Sequence, residues 1–257
     1  MSIPVPIIAA LLVHWWVSVF FQSFFLHRYA AHRMFYLSPF WQRSFHLLTY
    51  VAQGASYLTP SAYAVLHRMH HAYSDQPGDP HSPRLESNPV KMMLNTLRDY
   101  RAVQEDRHPL AGPFGKDLVR WPALDGFGRT YWSSLLSIML YVAYYVYFAS
   151  AWWHFLFLPV HVLMGPIHGA IVNYFGHRLG YRNHDTNDHS RNTLSMNLVT
   201  LGELFQNNHH ARPNSPSFAS RRFELDPIWP AIRTMSFLRI LQLSPPTQSR
   251  EALEPLS

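Results

Sequence analysis

Two long stretches of the chain carry no Lys, Arg, Asp or Glu, and they dominate its hydrophobic pattern. The first extends from Met1 to His27 and the second from Thr130 to Gly176. Because about 20 apolar residues cross a bilayer once, the first stretch can supply one span and the second can supply two. We therefore predict membrane spans at residues 3–26, 131–151 and 155–175.

A shorter apolar segment, Pro39–Pro60, differs from these stretches because polar side chains such as Arg43 and Gln53 interrupt it. Its apolar positions recur at helical spacing, which predicts an amphipathic helix lying in the membrane interface rather than a further span. The region 75–129 is rich in Pro, Gly, Asp and Arg. It predicts a loop with short helices, such as one over residues 90–106.

Basic residues are concentrated in two regions. Twelve lie between Arg28 and Arg129 and nine follow Gly176, whereas none lies in the predicted spans. The positive-inside rule places regions 27–130 and 176–257 in the cytoplasm. The sequence therefore predicts an integral membrane protein with three spans and an external amino terminus. Its last residues, SPPTQSREALEPLS, predict a disordered tail.

The composition narrows the class of protein further. Charged residues make 14% of the chain, well below the roughly 25% of an ordinary soluble domain, and hydrophobic residues make 48%. The absence of Cys excludes disulfides, iron–sulfur clusters and Cys nucleophiles. The net charge of +6 is carried mainly by Arg, which suits anionic lipid head groups or a phosphate-bearing substrate. No nucleic-acid partner is predicted, because no binding motif accompanies these scattered residues.

The 17 His residues are the most informative feature of the chain, and many of them fall in four clusters. The clusters are HRYAAH at 27–32, HRMHH at 67–71, NYFGH at 173–177 and QNNHH at 206–210. At about 100° per residue, positions 67, 70 and 71 share one helix face, as do positions 206, 209 and 210. His27 and His32 would splay by about 140° on a helix, so that they address different metal ions unless the helix ends between them.

The clustered imidazoles indicate a metal site, since neutral imidazole is the commonest metal ligand. Eight His residues are too many for one ion, so two ions are predicted. The eight are His27, His32, His67, His70, His71, His177, His209 and His210. A further eight are interpreted as ordinary surface or core residues: His14, His46, His108, His154, His161, His168, His184 and His189.

The distribution of carboxylates narrows the kind of metal centre. No Asp or Glu precedes Asp75, which excludes a ferritin-type site built on Glu and Glu-x-x-His. A zinc hydrolase would usually place Glu beside its ligands, but His67 is followed by Arg68. A site of nitrogen ligands for two redox-active ions suits iron better than magnesium or calcium. His32 and His67 can share a site only if Pro39–Pro60 does not cross the membrane.

Four motifs carry a resemblance to a known family: HRYAAHR, LHRMHHAYSDQPGDPHSP, NYFGHRLGYRN and GELFQNNHHARPNSP. With them the chain resembles the membrane fatty-acyl desaturases of the acyl-CoA (delta-9, stearoyl-type) group, over about 25–223. The resemblance implies one all-α domain over 1–257, with transmembrane stems and a cytoplasmic, histidine-rich cap. It implies O2-dependent insertion of a cis double bond, at delta-9, into a saturated chain held as acyl-CoA or acyl-lipid. A bacterial inner membrane, with the active site facing the cytoplasm, is the implied location.

The resemblance also implies two iron ions as cofactors and assigns roles to individual residues. The eight clustered His match the family's ligands, and Asn173 matches a residue that reaches iron through water. Gln206 departs from the pattern, because many relatives have His there. Its amide oxygen is either a weak metal ligand or only a hydrogen-bond partner beside the metal. The family usually has two spans before the first motif, whereas only 26 residues precede His27 here, so a single span is predicted, with a short hairpin as the alternative.

Further roles are predicted around the iron ions. Asp79, Asp185 and Asp188 are candidates to hold imidazole N–H groups. Arg28, Arg33 and Arg68 flank the ligands and are candidates for substrate head groups, with surface solvation as the alternative. Because no haem domain is present, electrons must come from a separate ferredoxin, flavoprotein or cytochrome.

Two other functions compete with desaturation. One is hydroxylation of a lipid by an enzyme of the same di-iron superfamily, because both reactions begin by abstracting hydrogen. The other is a non-catalytic membrane protein that binds metal or haem through His. A transporter is disfavoured because its spans would need residues such as Asp, Glu, Lys, Arg or His, and of these the predicted spans offer only His14, His161 and His168.

Overall fold

The first uncharged stretch folds into one long helix that changes its winding near the end. In this computed structural model, which describes residues 5–194 and 197–245, α1 covers Val5–Phe21 and continues as a π-helix over Gln22–Ala31. The two parts form 27 helical residues, long and apolar enough to cross a membrane. The helix therefore extends past His27 and ends at the second histidine of the first cluster.

The interrupted apolar segment forms α2, Pro39–Gln53. The Ser38 side chain caps its amino-terminal end, and Gly54, with φ of 50°, caps its carboxy-terminal end. Its 15 residues span about 22 Å at 1.5 Å per residue, less than the roughly 30 Å of a bilayer core. One face buries Phe45 and Ala52, and the other exposes Leu47 and Val51. This two-sided pattern agrees with the predicted amphipathic helix.

The next helices build the cap around the second histidine cluster. α3 covers Pro60–Tyr73 and packs against the π-helix. α4 covers Pro89–Gln104, close to the helix predicted over 90–106, and Asn88 caps its first turn through its side-chain oxygen. α5 is a short helix, Pro122–Gly128.

The second uncharged stretch contains α6, Tyr131–Phe148, and then a broken helix. A 3-10 turn, Trp152–Phe157, leads into α7, Leu158–Val162, and α8, Met164–Ala170, continues as a π-helix, Ile171–Phe175. The two halves meet at a 66° bend, so the predicted span over 155–175 is not straight. Pro166 lies just beyond the bend and has no N–H for the helical ladder.

By length and composition, one helix of the described residues can cross a membrane, or two if the bent pair counts as a single span. The unbroken candidate is Val5–Ala31, and the bent one joins Trp152–Val162 to Met164–Phe175. α6 falls outside this set, so the span over 131–151 stays a prediction.

The carboxy-terminal region returns to the first helix. α9 covers Gln206–Ala211 and α10 covers Ile228–Phe237. The strands β1, Phe35–Leu37, and β2, Leu241–Leu243, pair antiparallel, so the described fold is mostly but not purely helical. Buried Phe24, Phe205, Phe218 and Ile228 belong to one apolar cluster. The predicted tail over 244–257 lies almost wholly outside the described residues.

Candidate metal centre

The π-helix explains how the first histidine pair reaches one site. The His32 N–H donates to the His27 carbonyl at 3.2 Å, a bond between residues five apart. In a π-helix such i to i+5 bonds widen the turn, so residues five apart return to one face. The predicted splay of His27 and His32 toward different metals is therefore wrong, because it assumed α-helical winding.

Five imidazoles converge on one point, which we call site A: His27, His32, His67, His71 and His209. Neighbouring Nε2 atoms are 2.7 Å apart for His32 and His67, 3.0 Å for His67 and His71, and 2.9 Å for both His71–His209 and His27–His209. Two nitrogens bound at right angles to one ion, at about 2.1 Å each, lie about 3.0 Å apart. The spacing of these nitrogens fits a shared metal ion.

Burial keeps four of the five site A imidazoles neutral. It lowers the pKa of His32, His67, His71 and His209 well below 6.5, and the neighbouring histidines lower it further. A neutral imidazole retains the lone pair that a metal ligand needs. Four of these five residues therefore have available lone pairs without any change of pH.

Three further imidazoles form a second group, which we call site B: His70, His177 and His210. Their ring centroids lie 5.0 Å apart in every pair. The three Nε2 atoms are buried and have no hydrogen-bond partner. A buried polar nitrogen without a partner is costly, so three of them side by side fit a metal ion as the missing partner.

The other ring nitrogen of each site B residue bonds a carboxylate. Nδ1 lies 2.9 Å from Asp79 for His70, 2.9 Å from Asp75 for His177 and 2.5 Å from Asp188 for His210. These carboxylates fix the tautomer that leaves Nε2 free for a metal, as in carboxylate–histidine–metal triads.

The same carboxylates are held in their ionised form. Burial opposes ionisation, but the bonded histidines prevail and lower the pKa of Asp79 to about 2. The pKa values of Asp75 and Asp188 also lie well below the usual range, for the same reason.

The two sites are adjacent because α3 and α9 each contribute histidines to both of them. α3 directs His67 and His71 to site A and His70 to site B. α9 directs His209 to site A and His210 to site B. All eight histidines predicted as ligands thus fall into two groups, which could hold a metal ion each.

Glu203 links site A to the core and was not predicted. Its carboxylate lies 2.5 Å from His27 Nδ1 and 3.0 Å from the Arg28 guanidinium. Burial would raise the pKa of Glu203, but His27 and Arg28 lower it to about 2. Glu203 is therefore an anion that orients His27 from the far side of its ring.

Two of the three predicted head-group residues lie in the protein interior. Arg28 is fully buried, pairs with Glu203 and Asp226, and stacks 3.7 Å from the Phe218 ring centroid. Arg68 is 1% exposed and donates to four backbone carbonyl groups. Neither guanidinium is free to meet a head group, so the predicted head-group role does not fit Arg28 or Arg68.

Arg33 is the head-group candidate that remains. It is half-buried, donates to the Asp117 carbonyl and lies 5.0 Å over the Tyr29 ring. Its head-group role stays a prediction.

Gln206 and Asn173 lie in the wall of a cavity of about 520 Å³ that also contacts His27 and His67. The Gln206 Nε2 donates to the Glu203 backbone carbonyl at 2.6 Å. The Gln206 side chain packs against Gly176. A Cβ at position 176 would lie only 2.5 Å from Gln206 Cγ, so the absence of a side chain on Gly176 leaves space for Gln206. The predicted roles of Asn173 and Gln206 beside the metal stay predictions.

The sequence predicts no role for three residues that lie near the metal groups: Asp75, Glu203 and His81. His81 is buried beside His70, with 4.4 Å between ring centroids, and neither of its ring nitrogens has a partner. The signals were present, because Asp75 and His81 lie in the motif of the second cluster and Glu203 precedes the fourth.

One predicted outer partner is placed elsewhere. Asp185 is exposed, and among the described residues it bonds none of the site histidines, so its predicted role is wrong. The eight histidines interpreted as ordinary stay outside the metal groups of the described residues. His46, for example, bonds Asp125 at 2.9 Å.

The chain is similar to known proteins over most of its length. It matches the fatty acid desaturase family over residues 2–236. It is 31% identical over 232 residues to a hex-5-enoyl acyl-carrier-protein acetylenase of Moorena producens, covering 85% of this chain and 70% of the relative. It is 29% identical over 228 residues to an sn-1 stearoyl-lipid 9-desaturase of Synechocystis, covering 86% and 67%. It is 28% identical over 223 residues to an acyl-CoA 5-desaturase of Anemone leveillei, covering 86% and 66%.

Proposed function

The chain belongs to the fatty acid desaturase family of membrane-bound oxidoreductases, and from that premise we propose that it inserts a cis double bond, at delta-9, into a saturated fatty-acyl chain. The observation that carries the proposal is the position of the cavity. It holds about 520 Å³, within the roughly 300–1,000 Å³ of ligand sites, and it contacts site A through His27 and His67.

The walls of the cavity suit an acyl chain. Beyond the site they are formed by apolar side chains such as Leu66, Leu97, Leu163 and Ile167. Such walls exclude water and hold the methylene groups by contact alone. A methylene in this cavity lies beside His27 and His67, so the position of the chain along the cavity decides which carbons react.

The reaction we propose converts –CH2–CH2– into –CH=CH–. One O2, two external electrons and two protons take up the two hydrogen atoms and yield two water molecules. Two iron ions, one in each site, would supply the activation of O2. His27, His32, His67, His71 and His209 would hold one ion, and His70, His177 and His210 would hold the other.

The protein's own carboxylates keep this arrangement fixed. Asp75, Asp79 and Asp188 each hold a proton on the Nδ1 of one site B histidine, and Glu203 does so for His27. Each imidazole then presents Nε2 to its metal group in one tautomer. Fixed ligands need no reorganisation during turnover, which favours repeated redox cycles at one geometry.

The cellular setting follows the charge distribution. We propose three spans, at 3–26, 131–151 and 155–175, in a bacterial inner membrane, with both metal groups facing the cytoplasm. A separate ferredoxin, flavoprotein or cytochrome delivers the electrons there.

Expression in a host with suitable electron donors tests the proposal. We expect new cis-monounsaturated acyl chains in the total lipids, and gas chromatography with mass spectrometry locates the double bond. The variant His70→Ala should abolish the product, whereas the matched variant His108→Ala, outside both metal groups, should preserve it. Hydroxylated chains would favour the lipid hydroxylase. Unchanged lipids from intact, iron-loaded protein would contradict an enzymatic role on acyl chains.

A further inference from the structure

The cavity beside site A is partly open, and exposed apolar side chains line it. α4 contributes Val90, Leu94 and Leu97 to the cavity wall. These three side chains are also 67%, 60% and 42% exposed. The same face of α4 therefore lines the cavity and is exposed at the protein surface.

The facing edge belongs to the broken helix. Leu163, at the bend before α8, is 50% exposed, and Pro166 is exposed as well, and both line the same cavity. The two edges meet at Gly169, where a Cβ would lie 3.2 Å from the Met93 Cε. The bare α-carbon of Gly169 thus lets α4 approach α8, and an apolar slit runs beside this seam.

The slit borders a segment that is apolar enough to cross a membrane. α8 is half of the bent helix pair that is apolar enough to span a membrane. On α4, the exposed cation Lys91 lies next to Val90, beside the apolar stripe, and Arg178 is exposed beyond the π-helix that continues α8. An apolar face edged by cations is typical of a helix lying in the head-group region of a membrane.

We propose that the acyl chain enters through this slit sideways from the bilayer, so that the substrate is a membrane lipid carrying its own acyl chain. The inference rests on the proposed desaturase function and names its substrate class. A lipid chain that enters here passes from one apolar medium into another. A water-borne thioester would instead need a mouth that opens to the aqueous side, whereas the open edge of this cavity is lined by apolar side chains.

The relatives leave this choice open. Their names specify an acyl-carrier protein, a lipid and coenzyme A as carriers. The apolar slit, rather than similarity, therefore points to a lipid as the carrier.

Reconstitution of the full-length, iron-loaded protein tests the carrier directly. The protein is placed in nanodiscs with an electron donor and O2, and stearoyl groups are supplied as phosphatidylglycerol, as coenzyme A thioester or as acyl-carrier-protein thioester. We expect at least tenfold faster product formation from the phospholipid. Faster turnover of either thioester would overturn lateral entry and leave desaturation intact. Absence of product from all three carriers would contradict the proposed function itself.

Variants at the slit add a matched control. Leu94→Trp narrows the open edge, and we expect at least a tenfold loss of turnover of the phospholipid. Leu48→Trp introduces the same change at an exposed position on α2, outside the cavity, and should keep normal turnover. Equal rates in the two variants would contradict lateral entry, provided that both retain iron.

A binding measurement separates entry from catalysis. A phospholipid with a diazirine on its acyl chain is incorporated into the nanodiscs, and the cross-linked peptides are identified by mass spectrometry. We expect cross-links to α4 and α8 that Leu94→Trp reduces, even in protein stripped of iron. Cross-links spread evenly over α1, α2 and α6 would contradict the slit as an entrance, whatever the activity.

Discussion

The contact between Glu203 and His27 supports a quantitative prediction about iron affinity. In Glu203→Gln the side chain keeps its size but loses its charge. The amide oxygen can still accept from the His27 Nδ1–H, but its NH2 group then faces Arg28 and Ser23, which are donors to Glu203 in the native protein. His27 is therefore held less firmly.

The size of the effect can be estimated from the structure. Removing an outer partner of a metal ligand typically costs 10- to 100-fold in metal affinity, which is about 1.4–2.8 kcal/mol. Arg28 keeps its second carboxylate, Asp226, at 2.9 Å. The loss of stability should therefore fall at or below the lower end of the roughly 3–5 kcal/mol that breaking a buried ion pair costs.

The assay is a chelator titration of the iron-loaded protein, combined with thermal unfolding. We expect Glu203→Gln to release one ion at a 10- to 100-fold lower chelator concentration, while the other ion stays bound. Asp125→Asn is the matched control, since Asp125 also bonds a buried histidine, His46, at 2.9 Å but lies outside both metal groups. Unchanged iron release in Glu203→Gln, or equal release in the control, would refute the positioning role of Glu203.

Three further predictions concern other residues. Gln206→Ala should lower activity and keep most of the iron, because the Gln206 amide already donates to a backbone carbonyl. His210→Ala should lose both iron and activity. Equal iron loss in the two variants would make Gln206 a ligand. Arg28→Lys should lower the unfolding temperature and leave KM unchanged, since Arg28 is buried. Thermal unfolding and enzyme kinetics measure both quantities, and a raised KM at normal stability would support a head-group role for Arg28. A reporter fused after Ser257 should be cytoplasmic in a protease-protection assay, and an external reporter would contradict the topology.

Local pattern predicted much of the centre. The helical spacing of His67, His70 and His71 places them on one face, and the structure directs all three toward the metal groups. The amphipathic pattern of α2 likewise survives in its buried and exposed faces. These features depend on the period of a helix, which is visible in the sequence.

Features that depend on tertiary packing or unusual winding were not predictable in the same way. His27 and His32 meet through a π-helix, although α-helical geometry separates them. Glu203 reaches His27 across 176 positions of the chain. Arg28 and Arg68 seemed free to bind phosphate, but buried carboxylates and carbonyl groups hold them in the interior. Sequence spacing carries no information about such distant partners.

We propose that the two histidine groups of this fold hold one iron ion each. The most direct measurement is the iron content per chain of the reconstituted protein, determined by inductively coupled plasma mass spectrometry, for the native chain and for His177→Ala. His177 belongs to site B alone. We expect about two ions per native chain and about one in the variant, with the site A ion retained. A native content near one ion per chain, under full reconstitution, would contradict the two-site account.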